Sequence, residues 1–367
     1  MSNQKYQLPE YPCKSDVWDS LQKETRPIVI YGMGNGADKL FRRFEEYGIK
    51  VSDIFASDGF VRGHSFHGYR VKSFSEIKAE YSDFVIVLSF ASNKEDVIDM
   101  LAEIDASFDM LVPDMPIADE NEYFDREFYN LHYKEISEVY NSLADGISRS
   151  IYAGVLNYRL TGRISYLLDS VSDKDEMYSL IAKRKVKCAV DAGAYNGDTA
   201  KECLHYFDEL SSIYAIEPDR RNFKKLSAFS ETEKKVIPIN AAVWSSVGTC
   251  EFMDSGNRNS TVNATASFKH SAREVDLVSI DSIGAKSVDY VKYDVEGAEH
   301  EALIGTKQTI ERDKPALLIS LYHRSRDIYF LPQYISGTHR EYKLYIRRLP
   351  SIPAWELNLI ALPIEYL

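Results

Sequence analysis

Residues 190–199 read VDAGAYNGDT, and residues 216–219 read IEPD. Ahead of the glycines stands VKCA (186–189), short and mostly apolar. Behind them AKECLHYF (200–207) has the pattern of a helix, and SSIYAIEP (211–218) is a second apolar strand ending on a carboxylate. Strand, tight glycine turn, helix and strand open an α/β sheet, and the loop after the first strand is where such sheets bind nucleotides. Glu217 lies 24 positions past Gly193 (217 minus 193). A carboxylate at that spacing suits a ribose diol.

Asp191 narrows the ligand. It stands at the mouth of the glycine turn. A dinucleotide would place its pyrophosphate there, on backbone N–H groups and a helix N-terminus. A carboxylate would repel it. S-adenosylmethionine carries no phosphate, and its ammonium and sulfonium tolerate negative charge nearby. The spacing Gly193-x-x-x-Gly197 also departs from the dinucleotide pattern G-x-G-x-x-G. These residues predict an S-adenosylmethionine site. The plain alternative is a turn whose glycines only make the turn.

The chain has 367 residues, enough for about two domains at roughly 150 residues each. Hydrophobic residues make up 44% and charged residues 27%, the balance of a globular protein with a sizeable core. No apolar run approaches the ~20 residues of a membrane span, so no membrane insertion is expected. MSNQKYQLPEYPCKSD lacks the basic start and apolar stretch of a secretory signal. Cys13, Cys188, Cys203 and Cys250 show no metal spacing and no disulfide framework, which predicts reduced thiols and a cytoplasmic location. A net charge of −12 argues against nucleic acid as a partner. Basic groups such as 183–187 and the Arg347-Arg348 pair read as solvated surface. A homo-oligomer is left open.

Residues 27–115 alternate strand and helix: PIVIY, the turn GMGNGA, a helix in DKLFRRFEEYG, then KVSDIFAS, SFSEIKAE, DFVIVLSF and NKEDVIDMLAEI. That alternation means a parallel sheet with crossover helices. Residues 117–185 are rich in Tyr, Leu and Glu and predict helices at about 121–142, 143–160 and 173–183. Beyond them, strands are expected at 187–191, 212–217, 235–240, 289–294, 315–321, 343–348 and 356–362, and helices at 197–208, 219–229, 298–311 and 325–335. The last two strands lack a helix between them and should pair antiparallel. CEFM and VDLVSI form a further hairpin around the polar loop 253–273, whose length predicts a lid over the acceptor pocket.

Five stretches occur in a telling order: VDAGAYNGDT, IEPD, NAAVW (240–244), VKYDVEGAEHEAL (291–303) and KPALLISLYHRSRDIYFLP (314–332). Over 186–367 the chain resembles the FkbM family of S-adenosylmethionine-dependent methyltransferases. The resemblance implies a Rossmann-like, seven-stranded class I methyltransferase domain (186–367). Before it come a smaller Rossmann-like α/β domain (1–116) and a helical linker (117–185). It implies that Asp191, Gly193, Ala194, Tyr195, Gly197, Asp198 and Thr199 surround the methionine part of S-adenosylmethionine. Glu217 and Pro218 would meet the ribose, and Asn240 and Ala241 would lie by the adenine. Asp198 and Thr199 could equally serve only as a helix start.

Asp294 and Glu296 lie two apart at the end of a strand, so both point to one side. Three acids this close (Glu299 is the third) could face a cationic cofactor, a metal or the acceptor, or simply enrich a helix N-terminus. His323 ends the next strand and is the expected base for methyl transfer to oxygen, beside Asp294 and Glu296. A histidine held in the core is the alternative. Arg324, Arg326 and Asp327 could bind a polar acceptor or form surface pairs. YIRRLP (345–350) places Arg348 where relatives often carry a histidine. No metal is implied.

GMGNGA (32–37) fits G-x-G-x-x-A without an acid in the turn. Asp53 lies 21 positions past Gly32 (53 minus 32) and Asp58 lies 26 past it (58 minus 32). This turn could accept phosphates, and GHSFHGYRV (63–71) resembles nucleotide-sugar-binding N-terminal domains of sugar-modifying enzymes. A structural domain without a cofactor is the competing reading. His64 and His67 have metal-like spacing but no further ligands. The expected function is methylation of a sugar or glycan hydroxyl, as in polysaccharide biosynthesis, with a small-molecule or glycan acceptor. The rivals are an NAD or nucleotide-sugar enzyme working through residues 27–115, and a non-catalytic module that only binds the cofactor.

Overall fold

The computed structural model describes residues 5–61, 63, 65–118, 121–253 and 272–367. The first half contains β1 (Ile28–Tyr31), β2 (Asp53–Ala56), a hairpin of β3 (Ser65–Phe66) with β4 (Tyr69–Arg70), then β5 (Lys72–Ser73), β6 (Val85–Leu88) and β7 (Asp109–Leu111). Five of them form one parallel sheet in the order β5-β2-β1-β6-β7. β1, β2 and β6 are buried at every position, as strands covered by helices on both faces must be. The helix Asn35–Tyr47 ends on Gly48 in the left-handed conformation, the stop expected from its sequence.

The seven strands expected in the second half are all present: β8 (Cys188–Ala192), β9 (Ser212–Ile216), β10 (Val236–Ile239), β14 (Tyr290–Tyr293), β15 (Ala316–Ser320), β16 (Tyr342–Arg348) and β17 (Leu357–Pro363). Between β10 and β14 come β11 (Ala242–Val243), β12 (Gly248–Met253) and β13 (Ala272–Val278), a small sheet in the order β11-β13-β12. The expected hairpin is the antiparallel β12–β13 pair. Its connection falls outside the described residues, and so does the lid predicted there. The large sheet runs β10-β9-β8-β14-β15-β17-β16. β17 is antiparallel to both neighbours, so the last strand inserts between β15 and β16 instead of closing the edge.

One helix lies between the two sheets. Gly146–Thr161 is capped by Asp145, whose side chain accepts from the Ser148 N–H, and ends on Gly162. Residues 150–156 are buried without a break, as expected of a helix covered on all sides. Its Tyr152, Val155 and Leu156 share a core with Val29 and Ile86 of the first sheet and with Ile346 and Leu359 of the second. Backbone bonds tie the halves further. Ser92 and Ile352 exchange N–H···O bonds of 2.8 and 2.9 Å, and the Ala118 N–H donates to the His323 carbonyl at 3.0 Å.

Several expectations are corrected. The helix at 121–142 is two, Arg126–Leu131 and Tyr133–Ser142. The helix at 298–311 breaks at Gly305, where a Cβ would stand 2.2 Å from the Trp244 carbonyl oxygen. A helix at Val17–Lys23 buries Trp18 under the first sheet. Arg347 and Arg348 are not surface residues, each being 1% exposed. Arg347 donates to Glu176 at 2.7 Å, Asp145 at 2.9 Å and Ser148 at 2.9 Å. Arg348 donates to the carbonyls of Leu167, Ser170 and Ser351.

Arg347 therefore bolts the cap of the central helix to β16. Arg347 is buried but Asp145 and Glu176 are partly exposed, so losing these charge-assisted bonds should cost about 1–3 kcal/mol. Arg347→Met is expected to lower the urea midpoint accordingly. A wild-type midpoint would show that the pair contributes nothing net.

Candidate active site

β8 has β9 on one side and β14 on the other, so the strand order reverses direction at this point, where an open α/β sheet forms its crevice. A cavity of about 640 Å³ lies there. Its wall includes Gly193, Tyr195, Asp198, Thr199, Glu217, Pro218, Asp294 and Glu296, all singled out in the sequence. Asp191, Ala194, Gly197, Asn240, Ala241 and His323 are not wall residues. Ala242 and Val243 of β11 line the cavity beside the place expected for Asn240 and Ala241. Asn240 instead donates its amide to the Glu217 carbonyl at 2.7 Å and holds the β9 loop in place.

The glycine turn is set by close packing. Gly193 has φ +87°, and a Cβ there would stand 1.9 Å from the Asp294 carbonyl oxygen. Gly197, at φ +88°, is the N-cap of the helix Asp198–Tyr206, so Asp198 is its first residue and not its cap. Tyr195 and Glu296 both sit at positive φ, +46° and +54°. Two non-glycine residues in that region facing one cavity mark backbone held by its surroundings. The Tyr195 N–H and the Asp219 N–H each donate to one oxygen of Glu217, both at 2.8 Å. Each oxygen keeps a lone pair for a ribose diol. Burial pushes the Glu217 carboxyl up to about 7 against those bonds.

Asp191 lies under the turn, 1% exposed, with no hydrogen bond to either oxygen among the described residues. Burial pushes it up to about 7, although Lys292 stands 3.9 Å away. An orphaned buried carboxylate beneath the floor fits a cationic ligand above it and opposes a phosphate. Lys292 lies between two acids, with Asp294 at 3.0 Å on its other side. Burial works against its ammonium, but Asp294 and Asp191 outweigh it and hold the charge. The sequence reading passed over Lys292. Its signal was there: two residues before Asp294 on a strand, it shares a face with it.

Behind the wall, His323 is 1% exposed. Its Nδ1 is 2.8 Å from Glu299, and its Nε2 is 3.5 Å from Glu296 and 3.6 Å from Asp294. Burial alone would lower the imidazole, but Glu299 and Glu296 overcome it and raise it to about 10. The expected base is thus not a wall residue of the cavity, and its acidic neighbours favour the protonated imidazole. Burial pushes Glu296 up to about 8, with His323 opposing and Asp294 and Glu299 adding to the rise. Burial also acts on Asp294, but Lys292 and His323 hold it well below the usual carboxylate range. Asp294 also accepts from Ser320 Oγ at 3.0 Å and Tyr322 OH at 2.9 Å. Glu299 accepts from the Val295 N–H at 3.0 Å as well as facing His323, and so fixes the turn that carries Glu296.

The rest of the wall went unread in the sequence. Tyr322, Trp355, Glu356 and Asn358 come from the ends of β15 and β17, and Lys174, Met177 and Tyr178 from the helix Lys174–Ala182. Asn358 carried a signal, being the polar residue in the otherwise apolar run LNLIALP. The first half contributes Asn93 and Ile117.

The glycine turn of the first half has a different cause. A Cβ on Gly36 would stand 2.0 Å from the Ser89 carbonyl oxygen, and one on Gly32 would stand 2.8 Å from the Phe90 ring. Phe90 packs edge-on against Tyr31 beside that turn, with ring centres 5.0 Å apart. Asp53 begins β2, at the opposite edge of the sheet from that turn, and pairs with Lys72 at 2.7 Å. Asp58 is exposed in the turn Asp58–Phe60. His67 faces Asp38 at 2.7 Å, and His64 lies outside the described residues. Among the described residues no cluster of His, Cys, Asp and Glu is arranged to hold a metal, and no helix is long and apolar enough to cross a membrane.

Comparison with known proteins agrees with this geometry. Residues 191–345 match the methyltransferase FkbM domain. The whole chain superposes on the methyltransferase FkbM from Methylobacillus flagellatus KT with a TM-score of 0.68 and 20% identity, covering 98% of this chain and 95% of that one. That likeness shows a shared fold. An rRNA methylase from Streptococcus thermophilus matches 51% of this chain and 94% of its own, with 13% identity and a TM-score of 0.34. Aeropyrum pernix fibrillarin in complex with S-adenosyl-L-methionine matches 51% of this chain and 73% of its own, with 15% identity and a TM-score of 0.30. No curated protein sequence matches the chain. The family match covers residues 191–345, the part of the chain that holds the glycine turn, Glu217, Asp294 and His323, and methyltransferases of this family use S-adenosylmethionine as methyl donor.

Two outcomes follow for donor binding. Glu217→Gln removes a charged acceptor and should weaken S-adenosylhomocysteine by about 10- to 100-fold in calorimetry, with little change in melting temperature. Gly193→Ala must displace Asp294 and should abolish that binding. Wild-type affinity in either variant would remove the glycine turn and Glu217 from the donor site.

Proposed function

We propose that this FkbM methyltransferase domain methylates a hydroxyl oxygen of a neutral carbohydrate by direct displacement, with Glu296 as the proton acceptor. Bound S-adenosylmethionine supplies a methyl carbon activated by its sulfonium. The observation that carries the reading is Glu296 in the cavity wall, at positive φ, against the buried imidazolium of His323. Alignment of the attacking oxygen supplies most of the acceleration, and a positioned base adds roughly 10²–10⁴-fold. Glu296 is suited to that second task because its carboxyl titrates at about 8. Asp294, held ionised by Lys292, stays an acceptor throughout and orients Tyr322 and Ser320.

The charge of the wall supports a neutral acceptor. Asp198, Glu202, Glu217, Asp294, Glu296 and Glu356 face the cavity against only Lys174 and Lys292 among the described residues. Such a wall favours a cationic donor and opposes a phosphate-bearing acceptor such as a nucleotide-sugar. The amide of Asn358, the hydroxyl of Tyr322 and the face of Trp355 supply the mixed polar and aromatic surface that a sugar ring needs. Four unpaired cysteines agree with a reducing, cytoplasmic setting.

The sign of the pH dependence is fixed by which form accepts a proton. Carboxylate Glu296 is populated above about 8. The logarithm of kcat/KM should therefore rise with unit slope below about pH 8 and level off above it. Glu296→Gln should lower kcat by about 10²–10⁴-fold and erase that inflection, while S-adenosylhomocysteine affinity holds. An inflection that survives the substitution would assign the proton to another group.

A further inference from the structure

We infer that the first α/β unit completes the acceptor wall, and that the side-chain amide of Asn93 recognises a hydroxyl of the acceptor. This rests on the carbohydrate reading above. Along the large sheet, Glu217, Pro218, Ala242 and Val243 approach from the β9–β10 side of the crevice. Trp355, Glu356 and Asn358 approach from the β17 side. The residues suited to the donor's ribose thus lie on one side, and the second side is left for the acceptor.

The first unit is fastened to that second side. Ser92 and Ile352 form a two-bond antiparallel bridge, three residues before Trp355. The neighbouring residue, Asn93, lines the cavity and is exposed. A second tie joins the Ala118 N–H to the His323 carbonyl, and its neighbour Ile117 also lines the cavity. At both ties a wall residue is adjacent to a residue bonded across to the other half. The helix Glu95–Ser107 has Lys94 as its N-cap and no side-chain cap. The Asn93 amide makes no hydrogen bond among the described residues. It offers two donors and one acceptor, the combination that matches hydroxyls, which both give and take. The Trp355 indole N–H, on the same cavity wall, is buried without a partner among the described residues. Donor recognition then belongs to the second half alone, and acceptor recognition to both.

The test uses the full chain and a panel of methyl glycosides of hexoses and 6-deoxyhexoses. Methyl transfer is measured with radiolabelled donor, and glycoside binding by calorimetry on protein saturated with S-adenosylhomocysteine. For a glycoside that the wild type methylates, Asn93→Ala should raise KM and Kd by about 10-fold, with kcat within about twofold and S-adenosylhomocysteine affinity unchanged. Unchanged glycoside KM and Kd would overturn the role of Asn93 and leave the carbohydrate reading intact. A loss of S-adenosylhomocysteine affinity would assign Asn93 a structural role instead. If the wild type neither binds nor methylates any glycoside of the panel, the carbohydrate reading itself fails, and the inference with it.

Discussion

The contact between Gly193 and the backbone of Asp294 is the constraint on which the site depends. β8 and β14 are neighbours in the sheet, and their ends meet where only a hydrogen fits on the Gly193 Cα. That approach fixes the turn after β8, which presents the Tyr195 N–H to Glu217. It also fixes the turn after β14, which carries Asp294 and Glu296 into the same cavity. The two turns that face the cavity thus touch, so neither can move without the other. The positive φ at Tyr195 and Glu296 is local strain that this contact and the Glu299 bonds hold in place.

Charge is arranged around that contact in layers. Asp191 and Asp294 flank Lys292 below the cavity, and Asp294, Glu296 and Glu299 surround His323 behind it. Each cation is buried and outnumbered by acids, which favour its protonated form. Asp294 lies between both cations and is held ionised. Glu296 shares His323 with two other acids and titrates high. Two carboxylates two residues apart therefore differ in proton affinity because of their neighbours, not because of their type.

The sheet was legible in the sequence because its strands are buried on both faces and read as apolar runs with little alternation, from CAVDA in β8 to ALLIS in β15. The glycine turn and Glu217 were legible because backbone conformation restricts which residues can stand there. The position of β17 between β15 and β16 was not, since pairing order leaves no mark on a strand's own residues. Arg347 was misread because its partners, Asp145 and Glu176, are distant in the chain. The spacing of Asp53 from Gly32 said nothing of its place at the start of β2, because counting positions from a glycine does not reveal which end of a strand an acid occupies. The ionisation of His323 depends on three acids gathered by folding, and its position after a strand said nothing of them.

The two glycine turns of this chain show how one local pattern serves two ends. In the second half the crevice above the turn is open, an acid lies beneath it, and Glu217 stands across from it. In the first half Phe90 packs on Tyr31 beside the turn, and Ser92, beyond β6, bonds with Ile352. A sheet can contribute to a neighbouring cavity through the loops at that edge. Here those loops reach the neighbouring cavity, and the glycines at Gly32 and Gly36 serve by letting the segment Ser89–Phe90 pack down on them. Loosening that packing would shift Ser92 and Asn93 together. The cavity wall would then depend on the interior of the first unit as well as on the second.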